Sequence, residues 1–579
     1  MAKVSKAGYF KAIKTAKNKH WSCFLLSATP QTLYRAKKFA YGQAPTRFPS
    51  LPGAETPQQM NEVLLNHLFA LKEPFSPPPR LQPDQKAPPL TKDEIATALS
   101  KCSPTSAPGP DGIPYFTWKQ VNRENPSILL QILSPLVSLG YHPASLKGWN
   151  GIVLDKPGKL SYESPASFRI ILLLCTGSKV LETIVASPLL LAARSKGMLN
   201  LNQCGSLPGL STYEAVLTLF NNVKTQERPC LKVSSLFLDI KAGFTNIDNS
   251  TLPRILREGG IPRYLVSCVS SGLGERSCTL VFQGAPGTPA QVNVRAPQGS
   301  PISPLLFLLY VSPLHFKVPR GLMISYVDDL GLTAASPSYR GKIRRLQELL
   351  EKLEAKALRI GVSFSIAKTE LRNWRTPSQR NSPRSLSPIQ IKGDLFRPRD
   401  SLRWLGYWFT PALESSAHCS HRLAHAQGAL TLIRCLSPTG AGLAPYLCHR
   451  LATSLVAPIL LYGADLLTPS TGAMGRLNTF WHKVQRWTTN CVSSTPTGIV
   501  LVESCLPPVA LVISQRQRLA ELLVVCYTLE INPATARLHA SFPSVSAHGA
   551  HDSSRALMKS LSSLCLLLGG SFGVRYSNS

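Results

Sequence analysis

The stretch Ile324-Ser325-Tyr326-Val327-Asp328-Asp329-Leu330-Gly331-Leu332 sets two adjacent acids inside an apolar run that otherwise reads as buried strand. The chain has few acids to place: its 579 residues hold 63 Lys+Arg against 31 Asp+Glu, a formal net charge of +32. A buried carboxylate is unfavourable unless a cation, a hydrogen bond or a proton neutralises it. Met323 to Val327 and Leu330 to Ala334 flank the pair as short apolar segments, so the pattern predicts a hairpin with Asp328-Asp329 at its turn. An acid at a turn is commonplace, because Asp tolerates turn backbone. The pair gains chemical meaning only if further acids converge on it.

Asp239 supplies that possibility. Leu231 to Ile240 reads as a mostly apolar strand with Asp239 near its end, and adjacent strands would bring Asp239 and Asp328 to one end of a sheet. Carboxylates gathered there repel one another, and hard oxygen donors suit Mg2+. Two such ions, about 3.5–4 Å apart, can clamp an in-line phosphoryl displacement.

The bulk properties agree with a polyanionic partner. Basic residues are spread along the whole length, which points first to nucleic acid and second to an anionic membrane surface. Hydrophobic content of 44% argues against wholesale disorder, and the length predicts two to four domains. The 14 cysteines show no C-x-x-C pair, as expected of reduced thiols in an intracellular protein. The basic N-terminus MAKVSKAGYFKAIKTAKNKH lacks the apolar region of a secretory signal, and the apolar runs are too short for a transmembrane helix, so no membrane partner is expected.

Punctuation along the chain predicts its organisation. A basic N-terminal extension runs through the Pro-rich connector EPFSPPPRLQPDQKAPPL to residue 90. TKDEIATALSKC reads as a helix capped by Thr91 with Glu94 three residues on. Ile152-Val153-Leu154 forms a short strand before the turn Lys156-Pro157-Gly158-Lys159. Ser300-Pro301 is read as a helix start that runs to a stop before Pro313. Lys342 to Ile360 is the clearest helix, with a Leu346, Leu349, Leu350 and Leu353 stripe, an i,i+4 Glu348–Lys352 pair and Gly361 as its stop. Val362, Phe364 and Ile366 alternate as a strand behind it. Arg375 to Pro388 is a polar loop, His418 to Leu529 reads as amphipathic helices, and the tail carries no signal. His418, Cys419, His421 and His425 have helical spacing for a metal site but lack a paired C-x-x-C element, so a solvated or template-facing helix is preferred to zinc.

Taken in order, several motifs resemble the reverse transcriptase of a non-LTR (LINE-type) retrotransposon over roughly residues 100 to 530. SAPGPDGIP, WNGIVLDKPGK and SFRIILLLCTGSKVLE are similar to that family's fingers segments. FLDIKAGF, APQGSPISPLLF, SYVDDLGL and AKTEL resemble its motifs A to D, and RWLGYWF, APILLYGADLL and KVQRWTTN resemble the region beyond.

The resemblance implies an α+β right-hand polymerase: fingers at 91–235, a palm with a small antiparallel sheet at 236–400, a helical thumb region at 401–535 and a tail at 536–579. It implies RNA-directed DNA synthesis on an RNA template from a DNA primer and dNTPs, with two Mg2+ ions and Mn2+ as a substitute. Asp239 and Asp328 would be metal ligands with the Ile240 carbonyl, and Asp329 would stand alongside. Lys368 would be the general acid for pyrophosphate. Arg169, with Lys156 or Lys159, would contact the triphosphate, Phe244 would exclude a 2′-hydroxyl, and Gln298 and Gly299 would line the nascent base pair. Trp404, Leu405 and Gly406 would lie at the primer terminus. An active protein would work in the nucleus at integration, and endonuclease or RNase H parts would have to come from flanking sequence.

The sequence departs from the family where Ile170 follows Arg169, at Thr245 beyond motif A, and at Ser206, Leu207 and Leu210 in QCGSLPGLST. These departures motivate the rival reading, a catalytically decayed nucleic-acid-binding remnant. An intron-type or telomerase-type enzyme is a third reading, which differs in partner rather than in reaction.

Overall fold

The described residues of the computed structural model are 57–68 and 87–530, apart from 157–160, 162, 227–230, 242–246, 283–284, 293–295, 298, 320, 376–387, 392 and 437–442, together with 8–9, 11–13, 15–17, 19–20 and 23–24. The chain divides into two compact units, residues 47–400 and residues 1–46 with 401–579.

The first of these units opens with four helices, α1 (Pro57–Leu68), α2 (Lys92–Ser100), α3 (Tyr115–Glu124) and α4 (Pro126–Ser138). The expected capping box forms at α2. The Thr91 hydroxyl accepts from the Glu94 N–H at 3.2 Å, and the Glu94 carboxylate accepts from the Thr91 N–H at 2.9 Å. There follow β1 (Gly148–Asp155), β2 (Phe168–Leu174), α5 (Thr176–Ser195), β3 (Gln203–Cys204), α6 (Thr212–Gln226), β4 (Lys232–Asp239), α7 (Thr251–Glu258) and α8 (Arg263–Leu273). Next come β5 (Arg276–Phe282), β6 (Ala285–Pro286), β7 (Ala290–Val292), α9 (Ser303–Val311), β8 (Gly321–Tyr326), β9 (Asp329–Ser336) and α10 (Tyr339–Arg359). Short strands β10 (Glu370–Asn373), β11 (Ile389–Ile391) and β12 (Asp394–Phe396) complete the unit.

Two five-stranded sheets organise these elements. The first has the order β10-β4-β9-β8-β3, antiparallel except where β3 lies parallel to β8. Its strands β4 and β9 are almost continuously buried, as expected of apolar runs covered on both faces. Every residue of α9 except Pro304 is buried, and Leu346, Leu350 and Leu353 of α10 join the same core. The second sheet has the order β2-β1-β5-β6, with β7 pairing β5. Here β5, from the 236–400 segment, lies parallel to β1 from the 91–235 segment, so sheet pairing ties these two stretches together. Leu64 of α1 is buried in this second core beside Trp149 and Phe168, so part of the basic extension is an integral element.

Three local expectations are corrected. The helix read at Ser300-Pro301 starts at Ser303, with Pro304 in its first turn, because Gly299 takes φ +123° and Ser300 commits its hydroxyl to a distant carboxylate. Val362, Phe364 and Ile366 make no strand: one bridge joins Phe364 to Ile240, and Ile366–Lys368 is a turn of 3-10 helix. Glu348 pairs with Arg344, one turn back at 3.7 Å, while the Lys352 ammonium lies 4.5 Å from the centre of the Phe316 ring.

The second unit holds the hairpin β13 (Leu402–Trp404) and β14 (Tyr407–Phe409), then α11 (Ser415–Leu436), α12 (Pro445–Leu451), α13 (Ala457–Leu460), α14 (Thr471–Thr488), α15 (Thr497–Ser504) and α16 (Val509–Glu530). Its core runs through Leu430, Leu447, Val456, Phe480, Trp481 and Ile513. Trp481 Nε1–H and Gln485 Nε2–H donate to the carbonyls of Pro507 and Leu506 at 2.9 and 2.8 Å, closing the α14 to α16 connection. Among the described residues no single helix is long and apolar enough to cross a membrane, although the bent pair α15 and α16 meets that requirement jointly.

Candidate active site

The β4–β9 ladder runs in register from Lys232 opposite Ser336 to Asp239 opposite Asp329. Register therefore brings two of the acids together, since directly paired residues share one face of a sheet. Asp328 occupies the β8–β9 turn, and its carbonyl accepts from the Ile240 N–H at 2.9 Å. The chain after β4 is held in turn, because the Asp239 carbonyl accepts from the Ser365 N–H at 2.8 Å. The expected hairpin is thus present, with Asp329 already in β9 and the turn formed by Val327 and Asp328.

That turn is strained. Val327, a β-branched residue, sits at φ +54°, a left-handed conformation that costs an L-residue about 1–2 kcal/mol. The surroundings impose it: the Val327 N–H donates to the Cys204 carbonyl at 3.1 Å, and β3 pairs with β8. Gly205, at φ +79°, passes beneath the turn, where a Cβ would come within 2.9 Å of Val327 Cγ2. Sequence reasoning treated QCGS only as a departure from a pattern. The signal available in it was the glycine, which marks close backbone approach.

The electrostatics follow from this crowding. Burial, then Asp328 and Asp239, push the Asp329 carboxyl up to about 6. Burial and Asp239 also raise Asp328. Lys368, exposed at the end of its 3-10 turn, donates from Nζ to Asp239 Oδ1 at 2.8 Å, and that bond holds its ammonium above the ordinary lysine range. The general-acid candidate is therefore placed against the first acid.

Among the described residues no three acid, histidine or cysteine side chains close around a point as a finished metal cage. The donor set nevertheless suits a hard cation: adjacent carboxylates, of which Asp328 and Asp329 are raised by burial and by neighbouring acids, with a lysine ammonium against Asp239. Residues 154–409 match the family described as "Reverse transcriptase (RNA-dependent DNA polymerase)". Over that stretch the chain is similar to a reverse transcriptase domain.

Relatives of this segment are proteins of transposons and mobile elements. The chain is 24% identical over 477 residues to a "Probable RNA-directed DNA polymerase from transposon BS" of Drosophila melanogaster, covering 79% of this chain and 52% of the relative. It is 26% identical over 342 residues to the corresponding protein "from transposon X-element" of the same species, covering 58% and 37%. It is 23% identical over 467 residues to the "RNA-directed DNA polymerase from mobile element jockey", covering 76% and 50%. The chain thus spans about half, or less, of the length of these relatives.

Other expected residues divide by location. Arg169 is exposed on β2 opposite Leu154, and Lys156 follows the end of β1, where its N–H donates to the Ser167 carbonyl at 2.9 Å. Gly299 lies against β2, where a Cβ would fall 2.5 Å from the Leu172 carbonyl oxygen. Lys159, Phe244 and Gln298 lie outside the described residues.

In the second unit Trp404 ends β13, and Leu405 and Gly406 form a two-residue turn at φ +48° and +80°. Tyr462 Oη–H donates to the Leu405 carbonyl at 2.7 Å and Arg422 to the Gly406 carbonyl, two supports that sequence reading did not identify. In the α11 cluster, expected to be solvated or template-facing, His418 and His421 instead make internal contacts, whereas His425 is exposed. His418 is buried, accepts from the Trp408 N–H at 3.2 Å and contacts the Tyr462 carbonyl at 2.7 Å, while His421 stacks on Trp408 with ring centroids 3.8 Å apart.

Proposed function

We propose that the chain is an RNA-directed DNA polymerase that extends a DNA 3′ end on an RNA template using dNTPs. The carrying observation is that Asp239 and Asp329 are ladder partners, with Asp328 at the adjoining turn, in a chain of formal net charge +32. Asp239 and Asp328, with the Ile240 carbonyl, are the groups that would hold two Mg2+ ions, or Mn2+ in their place, which when bound activate the 3′-hydroxyl and offset the charge of the triphosphate.

The chain's own residues do the rest. The β4–β9 register and the strained Val327 turn keep the three carboxylates at fixed spacing before substrate arrives, which is the preorganisation that electrostatic catalysis requires. Lys368 presents a protonated ammonium at Asp239, a proton source for departing pyrophosphate. Arg169 and Lys156, with Lys159, supply cations to the triphosphate. Phe244 excludes a 2′-hydroxyl, and Gln298 and Gly299 border the nascent base pair.

In this reading the acid-bearing sheet is the palm, the sheet built on β1 and β2 is the fingers, and the helical unit is the thumb. The turn Trp404-Leu405-Gly406 contacts the primer. The template is element RNA, with a chromosomal DNA 3′ end as primer in the nucleus. The decayed-remnant reading is opposed by the intact assembly of the acids with Lys368.

Purified protein is expected to extend a DNA primer on an RNA template with Mg2+ and dNTPs. Asp328→Ala should abolish extension and leave salt-sensitive RNA binding nearly intact. Tight binding without extension at any Mg2+ or Mn2+ concentration overturns the enzyme reading.

A further inference from the structure

A buried carboxylate remote from the acid turn ties a helix to the sheet built on β1 and β2 and to the segment before α9. Glu182 of α5 is 5% exposed. Its Oε1 accepts from Arg276 Nη2–H at 3.0 Å and from Ser178 Oγ–H at 3.1 Å, and its Oε2 accepts from Ser300 Oγ–H at 2.5 Å. Arg276, at the start of β5, is itself 2% exposed and lies over the Trp149 ring, and His142 lies within 3.0 Å of Ser178 Oγ. One acid thus joins a helix, the sheet built on β1 and β2, and the segment that leads into α9. Such a buried ionic network is weak as a source of net stability, because desolvation offsets attraction. It is strong as a means of selecting one geometry.

The geometry selected is that of the Gly299–Ser300 peptide. Gly299 is pressed against the Leu172 carbonyl of β2, the strand that carries Arg169, and Ser300 is tied from the other side to Glu182. The segment is therefore clamped between β2 and α5 immediately before α9 enters the core. We propose that Glu182 and Ser300 are positioning residues for the incoming nucleotide, acting through the place of the Gly299–Ser300 peptide against β2. This inference rests on the polymerase reading for its substrate.

Two variants separate positioning from stability. Ser300→Ala removes the only one of these bonds that reaches the segment, leaving Glu182 its Arg276 and Ser178 partners. Glu182→Gln keeps a hydrogen bond to Ser300 whichever way its amide turns, since a hydroxyl both donates and accepts, but it strips Arg276 of its buried counter-ion. In primer extension with the full chain, Ser300→Ala is expected to raise the KM for dNTP about tenfold, the scale of one hydrogen bond to a charged group, with kcat, primer–template affinity and Tm little changed. Glu182→Gln is expected to lower Tm and leave that KM close to the original. An unchanged KM in Ser300→Ala, or parallel losses of KM, Tm and primer–template affinity in both variants, overturns the proposal.

If the unmodified protein extends no primer, the polymerase reading fails, and backbone hydrogen exchange still decides the positioning claim. Exchange at the amides of Gly299, Ser300, Ile302 and Ser303 should then accelerate by about tenfold or more in Ser300→Ala and remain unchanged in Glu182→Gln, and equal protection in Ser300→Ala and the unmodified chain overturns it.

Discussion

Asp239 and Asp329 are direct partners across the β4–β9 ladder, and the ammonium of Lys368 rests on Asp239 at 2.8 Å. A cation thus already sits on one acid of the cluster, and a divalent ion has to compete with it. Mg2+ should raise the Tm of the protein by mass action, and Asp328→Ala should lose that shift. Lys368→Ala should bind Mg2+ about two- to fivefold more tightly in a thermal-shift titration without substrate, the scale of an exposed ion pair. An unaltered Mg2+ response in Asp328→Ala would refute the assignment of Asp328 as a ligand.

Gly299 has a conformational requirement and a spatial one. At φ +123° a side chain is strained, and a Cβ would lie 2.5 Å from the Leu172 carbonyl oxygen, a backbone atom that cannot swing away. Gly299→Ala should cost about 1–3 kcal/mol of stability in urea unfolding and lower primer extension at least as far as Ser300→Ala does. Gly361→Ala is the comparison. It shares a positive φ of +67° with nothing within 4 Å, so it should cost less and leave extension intact.

Three histidines, His142 and His418 buried and His315 half-buried, predict an acid limit. Burial lowers His142, His315 and His418 from 6.5 to about 4 in each case. For a base whose folded value is depressed, the unfolded chain takes up protons first. Stability is therefore intact above 6.5 and falls as pH drops from 6.5 towards 4. Tm measured across that window should decline, and His142→Gln should flatten part of the slope in the 47–400 unit. A slope that His142→Gln leaves untouched would exclude this histidine as a contributor.

Lys342 of α10 is fully buried, donating to Asn373 Oδ1 at 2.8 Å with its ammonium 4.7 Å from the centre of the Tyr339 ring. Burial, with Lys232 nearby, lowers it from 10.5 to about 7. The folded state is therefore penalised as pH falls from 10.5 to 7 and gains nothing from ionisation. Lys342→Met should raise unfolding stability by about 1–2 kcal/mol at neutral pH, with a smaller gain near pH 10. A loss of stability at neutral pH would show that the Asn373 bond outweighs the desolvation.

Much of the site was legible in the residues. Apolar runs ending in acids placed Asp239 and the Asp328-Asp329 pair at strand ends, and the capped helix at Thr91 and the leucine stripe of α10 were periodic enough to read directly. Capping and periodicity are local, and local rules act within a few residues. Where a distant partner intervened, the reading slipped. Ser300-Pro301 has the form of a helix start, yet Ser300 bonds to Glu182 and the helix begins three residues later.

The chain's composition and motif order therefore pointed to a polyanionic partner and singled out Asp239, Asp328 and Asp329 as candidate acids. Tertiary structure alone decided that Asp329 is the register partner of Asp239, that Gly205 underlies the Val327 turn, and that Glu182 reaches Ser300 and Arg276. The physical reason is the difference in range. Strand register and buried side-chain bonds depend on which surfaces pack together, and residues as far apart as Glu182 and Ser300 carry no periodic signal of their meeting.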